Sequence, residues 1–380
     1  MADPFPLDLD ALLEVLNHLN IGVYITDLDR RIRLWNRKAE EITGYPAAEV
    51  VGTSCHDDIL VHVDTNGRAL CATDLCPLYR AMMLNRESEE PVILFAKKAD
   101  GRRLAVSVSV APLRDKGGKV VGGIETFRDE TTRILDLELA RKIQRGLLPA
   151  SLPKDPRVRF DAGYYPCELV GGDFYCVREI DAARYGVIVA DVAGHGVSAA
   201  LYTMWLSSLC DSLGQLAAEP ARFVAAVNRE LVRLVLPESF STAFYAVVEP
   251  ARGTVTYTNA GHPPALHFRG GGAVARLESH GLPLGVLEDQ AYGATSLRLG
   301  PGELLLCYTD GITEATRPDG GMLGIDGLAE LVTELRRESD DGLPERVYGH
   351  VARTSGDVAL ADDVVLLSLI GTAAPPTFDI

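Results

Sequence analysis

The chain has 380 residues, 53 acidic against 37 basic, and a formal net charge of -16; at about 100–200 residues per domain that length calls for two or three domains. Nucleic-acid affinity rests on a basic surface, so this balance argues against phosphate-backbone binding. No apolar run approaches the ~20 residues that cross a bilayer, and the acidic start MADPFPLDLD lacks a signal-peptide pattern. A cytoplasmic protein with neither membrane nor nucleic acid as partner is expected. Seven cysteines, an odd number, argue against a disulfide framework.

Taken in order, residues 9–19 carry the apolar spacing of a helix. Gly22 to Asp27 and Ile32 to Asn36 read as strands, as do 91–97, 103–113 and 120–127. The runs GVYITD, IRLWNRKAEEITGY (32–45) and EVVG (49–52) resemble a PAS sensor domain, which sets a first domain at 9–129. PAS domains sense or dimerise, so the resemblance names no ligand.

Within this stretch Cys55, His62, Cys71 and Cys76 follow the spacing C-x6-H-x8-C-x4-C. Three thiols and an imidazole match the ligand count of a Cys3His zinc site, although the spacing is not that of a zinc finger. Thiolates also suit iron, including an iron–sulfur cluster. The plainer reading makes the cysteines small buried apolar residues, with His62 on a helix surface, and His56 competes as a ligand. Cys55 falls near the flavin-reactive cysteine of light-sensing PAS domains, but its neighbours Ser54, His56 and Asp57 depart from that family's pattern and count against a flavin.

From Asp129 no Gly or Pro interrupts the chain until Gly146, and Leu135, Leu139, Ile143 and Leu147 recur every four positions. This is an amphipathic helix, capped by Asp129 or Thr131 and stopped by Pro149 and Pro153. It sets a linker at 130–150 that either pairs in a dimer or packs passively.

Beyond it, strands are expected at 158–164, 173–178 and 185–192, then helices at 197–216 and 219–236. Six more strands follow at 242–249, 254–260, 264–269, 273–277, 293–299 and 303–309. Helices at 325–338 and 343–354 precede a last strand at 363–370. Four times a carboxylate stands beside a buried run: Asp173 after Gly171-Gly172, Asp191 before Val192-Ala193-Gly194, Asp310 in Tyr308-Thr309-Asp310-Gly311, and Asp362-Asp363 before Val364. Hard divalent cations need oxygen ligands converging from different segments, and the adjacent glycines let the backbone come close enough to complete a shell. Adjacent strand residues point oppositely, so only one of Asp362 and Asp363 is expected to face such a site.

These acids, together with QRGLLP (144–149), NAGHPP (259–264), GLPLG (281–285) and YTDGITEA, resemble the metal-dependent PPM family of protein serine/threonine phosphatases in its bacterial, SpoIIE-type branch. The resemblance covers roughly residues 140–370. It implies an α+β chain: an N-terminal PAS domain, a linker helix, and at 151–371 a four-layer α-β-β-α sandwich of two antiparallel sheets. It further implies two Mn2+ or Mg2+ ions, with Asp191 between them assisted by the carbonyl of Val192, and with Asp173, Asp310 and Asp362 completing the coordination directly or through water. The reaction implied is hydrolysis of phosphoserine or phosphothreonine by metal-activated water. The implied substrate is a phosphorylated anti-sigma-factor antagonist of STAS type, acted on by a homodimer joined through PAS and linker helix. The arginine that clamps phosphate in the eukaryotic branch has no match here. His195 and His262 invite a general-acid role, against a simpler loop-bracing one. The competing reading is a catalytically silent PAS-PPM scaffold that regulates by protein binding.

Overall fold

The computed structural model describes residues 9–65, 67–194, 196–233, 240–355 and 360–372. The chain divides into two compact units at Asp136/Leu137, inside the helix Thr131–Arg145. The expected linker therefore does not stand apart: its first turns belong to the first unit and its remainder to the second.

In the first unit, strands β1 (Gly22–Asp27), β2 (Ile32–Trp35), β3 (Val92–Lys97), β4 (Arg103–Arg114) and β5 (Val120–Asp129) form an antiparallel sheet ordered β2-β1-β5-β4-β3. Leu104, Val106, Val108 and Val110 alternate inward along β4, the period-2 pattern of a sheet with one covered face. Tyr24, Trp35 and Phe127 pack as an aromatic trio with centroids 5.5–6.4 Å apart. Buried Asn36 caps the helix Arg37–Thr43 by accepting from Ala39 N–H, and its carbonyl oxygen also accepts from Val23 N–H. Residues 52–65 and 67–76 carry turns and isolated bridges in place of a helix.

The second unit is a sandwich. β6 (Val158–Tyr165), β7 (Asp173–Asp181), β8 (Arg184–Val192), β9 (Ser241–Glu249), β10 (Thr254–Ala260), β11 (Ala265–Phe268), β12 (Val274–Leu277), β13 (Thr295–Arg298), β14 (Leu304–Tyr308) and β15 (Val364–Gly371) divide into two five-stranded antiparallel sheets, ordered β13-β10-β9-β8-β7 and β12-β11-β14-β15-β6. Alternate residues take opposite duties. Val187 and Val189 of β8 meet Val365, Leu367 and Leu369 of β15 in the core between the sheets. Ile188, Ala190 and Val192 face the helices Val197–Ser212 and Pro220–Arg233, while Val364, Leu366 and Ile370 face Gly324–Arg336 and Leu343–Thr354. Both faces of β15 are covered, which is why its whole length is buried and its sequence is one apolar run. These are the four layers that the strand-helix-strand-helix order implied.

Candidate active site

The carboxylates gather at one end of the sandwich because of register. Asp173, the first residue of β7, pairs directly with Asp191 near the end of β8. In the other sheet Asp310 stands just past β14 and Asp362-Asp363 just before β15, and those two strands pair. Asp310 follows its strand, as expected, and opens a short helix, Asp310–Thr313.

Among the described residues no three of Asp173, Asp191, Asp310 and Asp362 bring ligand oxygens within 4.8 Å of one another, yet their charges act on one another. Asp191 is pushed up to about 7, by burial first and then by Asp310, Asp362, Asp363 and Glu314. Asp173 is held well above the usual carboxylate range, again by burial and then by Asp191, while a 2.6 Å hydrogen bond donated by Thr309 Oγ1 opposes the shift. Burial, Glu314 and Asp362 raise Asp310. After burial, the largest influences on Asp191 are all other carboxylates; a set of this kind is stable when a cation sits among it.

The glycines do something more specific than make room for a metal. A Cβ on Gly171 would lie 2.3 Å from Asp363 Oδ2, and one on Gly172 would lie 2.9 Å from the Val192 oxygen. Gly172 N–H donates to Asp363 Oδ2 at 2.6 Å and Cys167 N–H to Asp363 Oδ1 at 2.8 Å. Asp363 thus spends both oxygens holding the loop before Asp173. Asp362 accepts from Asp363 N–H through Oδ1. Both residues precede the strand, so strand alternation does not separate them: Cys167, Asp362 and Asp363 each bring a donor atom within 4.8 Å of the others.

Three contributors escaped the sequence reading. Glu314 lies one helical turn beyond Asp310, and Thr309 is a fully buried hydroxyl that also accepts from Val365 N–H at 2.8 Å. Gln144, 5% exposed, donates to the Gly171 carbonyl and to Thr203 Oγ1. The QRGLLP motif was the signal for Gln144; for the other two the tyrosine-to-alanine run around Asp310 was the only pointer.

His262 is buried, its Nδ1 is 2.8 Å from Thr242 Oγ1, and burial lowers it to about 3. A neutral, enclosed imidazole braces its loop and has no proton to give near neutrality. His195 lies outside the described residues.

The cysteine set surrounds Glu125 in the first unit's core. Cys55 and Cys76 are buried, Cys71 is partly buried, and His62 is buried in a loop and not on a helix surface. His62 is lowered to about 4 by burial, with Arg103 adding to it, and Glu125 is raised to about 8 by burial. His56 is occupied elsewhere, with Nδ1 at 2.7 Å from Ser54 Oγ and Nε2 at 3.6 Å from Asp57.

Two stacked antiparallel sheets flanked by helices, with carboxylates converging at one end, define a PP2C-type phosphatase fold. A family model for stage II sporulation protein E (SpoIIE) matches residues 181–370, and one for the PAS fold matches 16–134. The chain belongs to the SpoIIE family. It is 36% identical over 196 residues to the phosphoserine phosphatase RsbP of Bacillus subtilis (strain 168), covering 50% of this chain and 48% of RsbP, so it spans about half that relative's length. It is 28% identical over 235 residues to the phosphoserine phosphatase RsbU of the same organism, covering 62% of this chain and 69% of RsbU. Among solved structures, the SiaA-PP2C domain of Pseudomonas aeruginosa is 26% identical with a TM-score of 0.55, covering 63% of this chain and 96% of that one. Among the described residues no helix is long and apolar enough to cross a membrane.

Proposed function

We propose that this chain is a metal-dependent protein phosphatase that hydrolyses phosphoserine or phosphothreonine under control of its PAS unit. The observation that carries the reading is the convergence of Asp173, Asp191, Asp310 and Asp362 from two facing sheets, mutually repelling and all oxygen in donor type. Such a set fits Mn2+ or Mg2+ and not a thiophilic ion. Two such ions, when bound, supply water of lowered pKa and neutralise charge on the phosphoryl oxygens.

The chain's own residues prepare the site. Asp191 is central, acted on by Asp310 and Asp362 from the opposite sheet and paired with Asp173 in its own. The bare Gly172 leaves space over the Val192 carbonyl, whose proposed role is to assist Asp191. Asp362 is the ligand of the adjacent pair, and Asp363 positions the loop. Thr309 orients Asp173 by donating to one of its oxygens, leaving the other to the metal side.

Similarity to RsbP and RsbU, named for phosphoserine, supports a phosphoprotein substrate; the proposed one is a phosphorylated anti-sigma-factor antagonist of STAS type, met in the cytoplasm. Leu135, Leu139 and Ile143 lie 63%, 58% and 48% exposed along the connecting helix, an apolar stripe suited to pairing with the same helix of a second copy. The domain limits proposed remain 9–129 for the sensor and 151–371 for the catalytic body, with 130–150 joining them.

The test is release of phosphate from p-nitrophenyl phosphate and from a phosphoserine STAS protein, with Mn2+ and with EDTA. Metal-dependent turnover of both is expected. A folded protein that binds Mn2+ yet hydrolyses neither would return the silent-scaffold reading.

A further inference from the structure

The PAS unit encloses side chains that an ordinary apolar core would not. Glu125 is 1% exposed, stands opposite Tyr24 in register and accepts from its hydroxyl, yet its Oε1 has no hydrogen-bond partner. Thr26 Oγ1, two residues along the same strand, is also buried and unpartnered. A buried polar group left unsatisfied costs the full loss of its hydration. Nε2 of His62 stands 3.6 Å from Glu125 Oε1. Cys55, Cys71 and Cys76 all lie close enough to Glu125 to act on it electrostatically.

A backbone amide is aimed at one of the sulfurs. His62 N–H donates to Cys71 Sγ at 3.0 Å. Cys76 stands at the N-cap of the helix Pro77–Leu84, with no side-chain cap hydrogen bond. Burial raises all three thiols, and against it the His62 amide favours the Cys71 thiolate, the metal-binding form. Nε2 of His62 faces Glu125 Oε1 from just beyond hydrogen-bond length, and a small closing movement would give the arrangement of a metal-bound imidazole, in which one nitrogen ligates and the other donates its N–H to a carboxylate.

We propose that this pocket holds a thiophilic transition-metal centre, with Cys55, Cys71 and Cys76 as thiolate ligands, His62 as fourth ligand through Nδ1, and Glu125 accepting from His62 Nε2. The donors are not closed around a single point: among the described residues, three Cys, His, Asp or Glu donor atoms lie within 4.8 Å of one another only at Cys167, Asp362 and Asp363. One zinc ion with bonds of about 2.0–2.3 Å would have to draw its ligands together. An iron–sulfur cluster binds each ligand to a different iron and accepts a wider set, so the spacing favours the cluster. Glu125 lies on β5, which runs through Asp129 straight into the connecting helix, so a change of charge at the centre falls on the strand that feeds that helix.

The test uses the full chain, produced with added iron and purified anaerobically without chelator. Iron, acid-labile sulfide and zinc are counted per chain, and visible absorption is read before and after dithionite. Iron and sulfide in similar amounts with a band that dithionite bleaches identify the cluster. About one zinc per chain, without sulfide, identifies a single ion on the same ligands. Cys71→Ser should lose the metal while Mn2+ binding at the aspartate site is retained, and Glu125→Gln should weaken its retention by about tenfold or more. If Cys71→Ser does not fold, Glu125→Gln, which preserves shape, decides. A parent protein that holds no more iron or zinc than Cys71→Ser, even after reconstitution with ferrous iron and sulfide or with zinc, overturns the proposal.

Discussion

Gln144 holds both backbone polar groups of Gly171: its Nε2 donates to the Gly171 carbonyl at 2.6 Å, and its Oε1 accepts from the Gly171 N–H at 3.1 Å. Gly171 is two residues from Asp173, so the last turn of the connecting helix is tied to the loop that presents a site carboxylate. Gln144→Leu keeps the volume and strands both groups, which should cost about 2–4 kcal/mol in urea unfolding. It should also lower Mn2+-dependent kcat by about tenfold or more through misplacement of Asp173. Fragments make the same point. A fragment of residues 137–372 retains Gln144 and should turn over p-nitrophenyl phosphate; one of 150–371 should be folded but much slower. Equal rates from the two would remove the helix from the active arrangement.

Asp191→Asn separates function from stability. The substitution removes the charge most surrounded by other carboxylates, so Mn2+-dependent hydrolysis should fall to background. In metal-free protein at pH 8, removal of a buried charge that other carboxylates also repel should raise unfolding stability by on the order of 1–3 kcal/mol. A variant that loses activity and stability together would mean that Asp191 is a packing residue.

How much of this could be read from the chain follows from the range of each contact. That Asp173, Asp191 and Asp310 border strands was legible because each adjoins a continuous apolar run punctuated by glycine, a purely local signature. The sandwich was legible from strand order, since two covered faces make a strand such as Val364–Gly371 apolar throughout. Thr309 was not, because its role is a bond to Asp173, 136 residues away. Asp363 was not, because its partners Cys167 and Gly172 are nearly 200 residues upstream. Strand alternation misled there: it assigns opposite directions to Asp362 and Asp363, but neither residue lies in the strand. Glu125 was invisible among the polar residues of a strand until register set it opposite Tyr24.

The pH dependence of stability should take an unusual direction. A carboxyl held at about 7 when folded and at about 4 when unfolded binds its proton more tightly in the folded state. The cost of its charge, from burial first and then from repulsion, is therefore absent below about pH 4, grows between 4 and 7, and is complete above 7. The metal-free second unit should lose stability as pH rises through that window. Saturating Mg2+ should flatten or reverse the trend, since the ion replaces the proton as the neutralising charge. The apparent Mg2+ affinity should weaken as pH falls through about 7. Thermal melts from pH 5 to 8.5, with EDTA and with Mg2+, read both arms; matching profiles would show that the carboxylates do not share a cation.

The adjacent acids should divide by kind of defect. Asp363→Ala leaves the Cys167 and Gly172 amides without their charged acceptor, and hydrogen bonds to charged groups contribute about 1.5–3 kcal/mol each. The melting temperature should drop sharply, and activity should fall because the loop before Asp173 loosens. Asp362→Asn keeps shape and leaves the Asp363 amide a carbonyl oxygen to donate to. Its melting curve without metal should match the parent or rise slightly, while Mn2+ affinity by calorimetry falls at least about tenfold, the lower range for a lost contribution to a metal site. If Asp363→Ala proved as stable as the parent and Asp362→Asn bound Mn2+ normally, the two assignments would have to be exchanged.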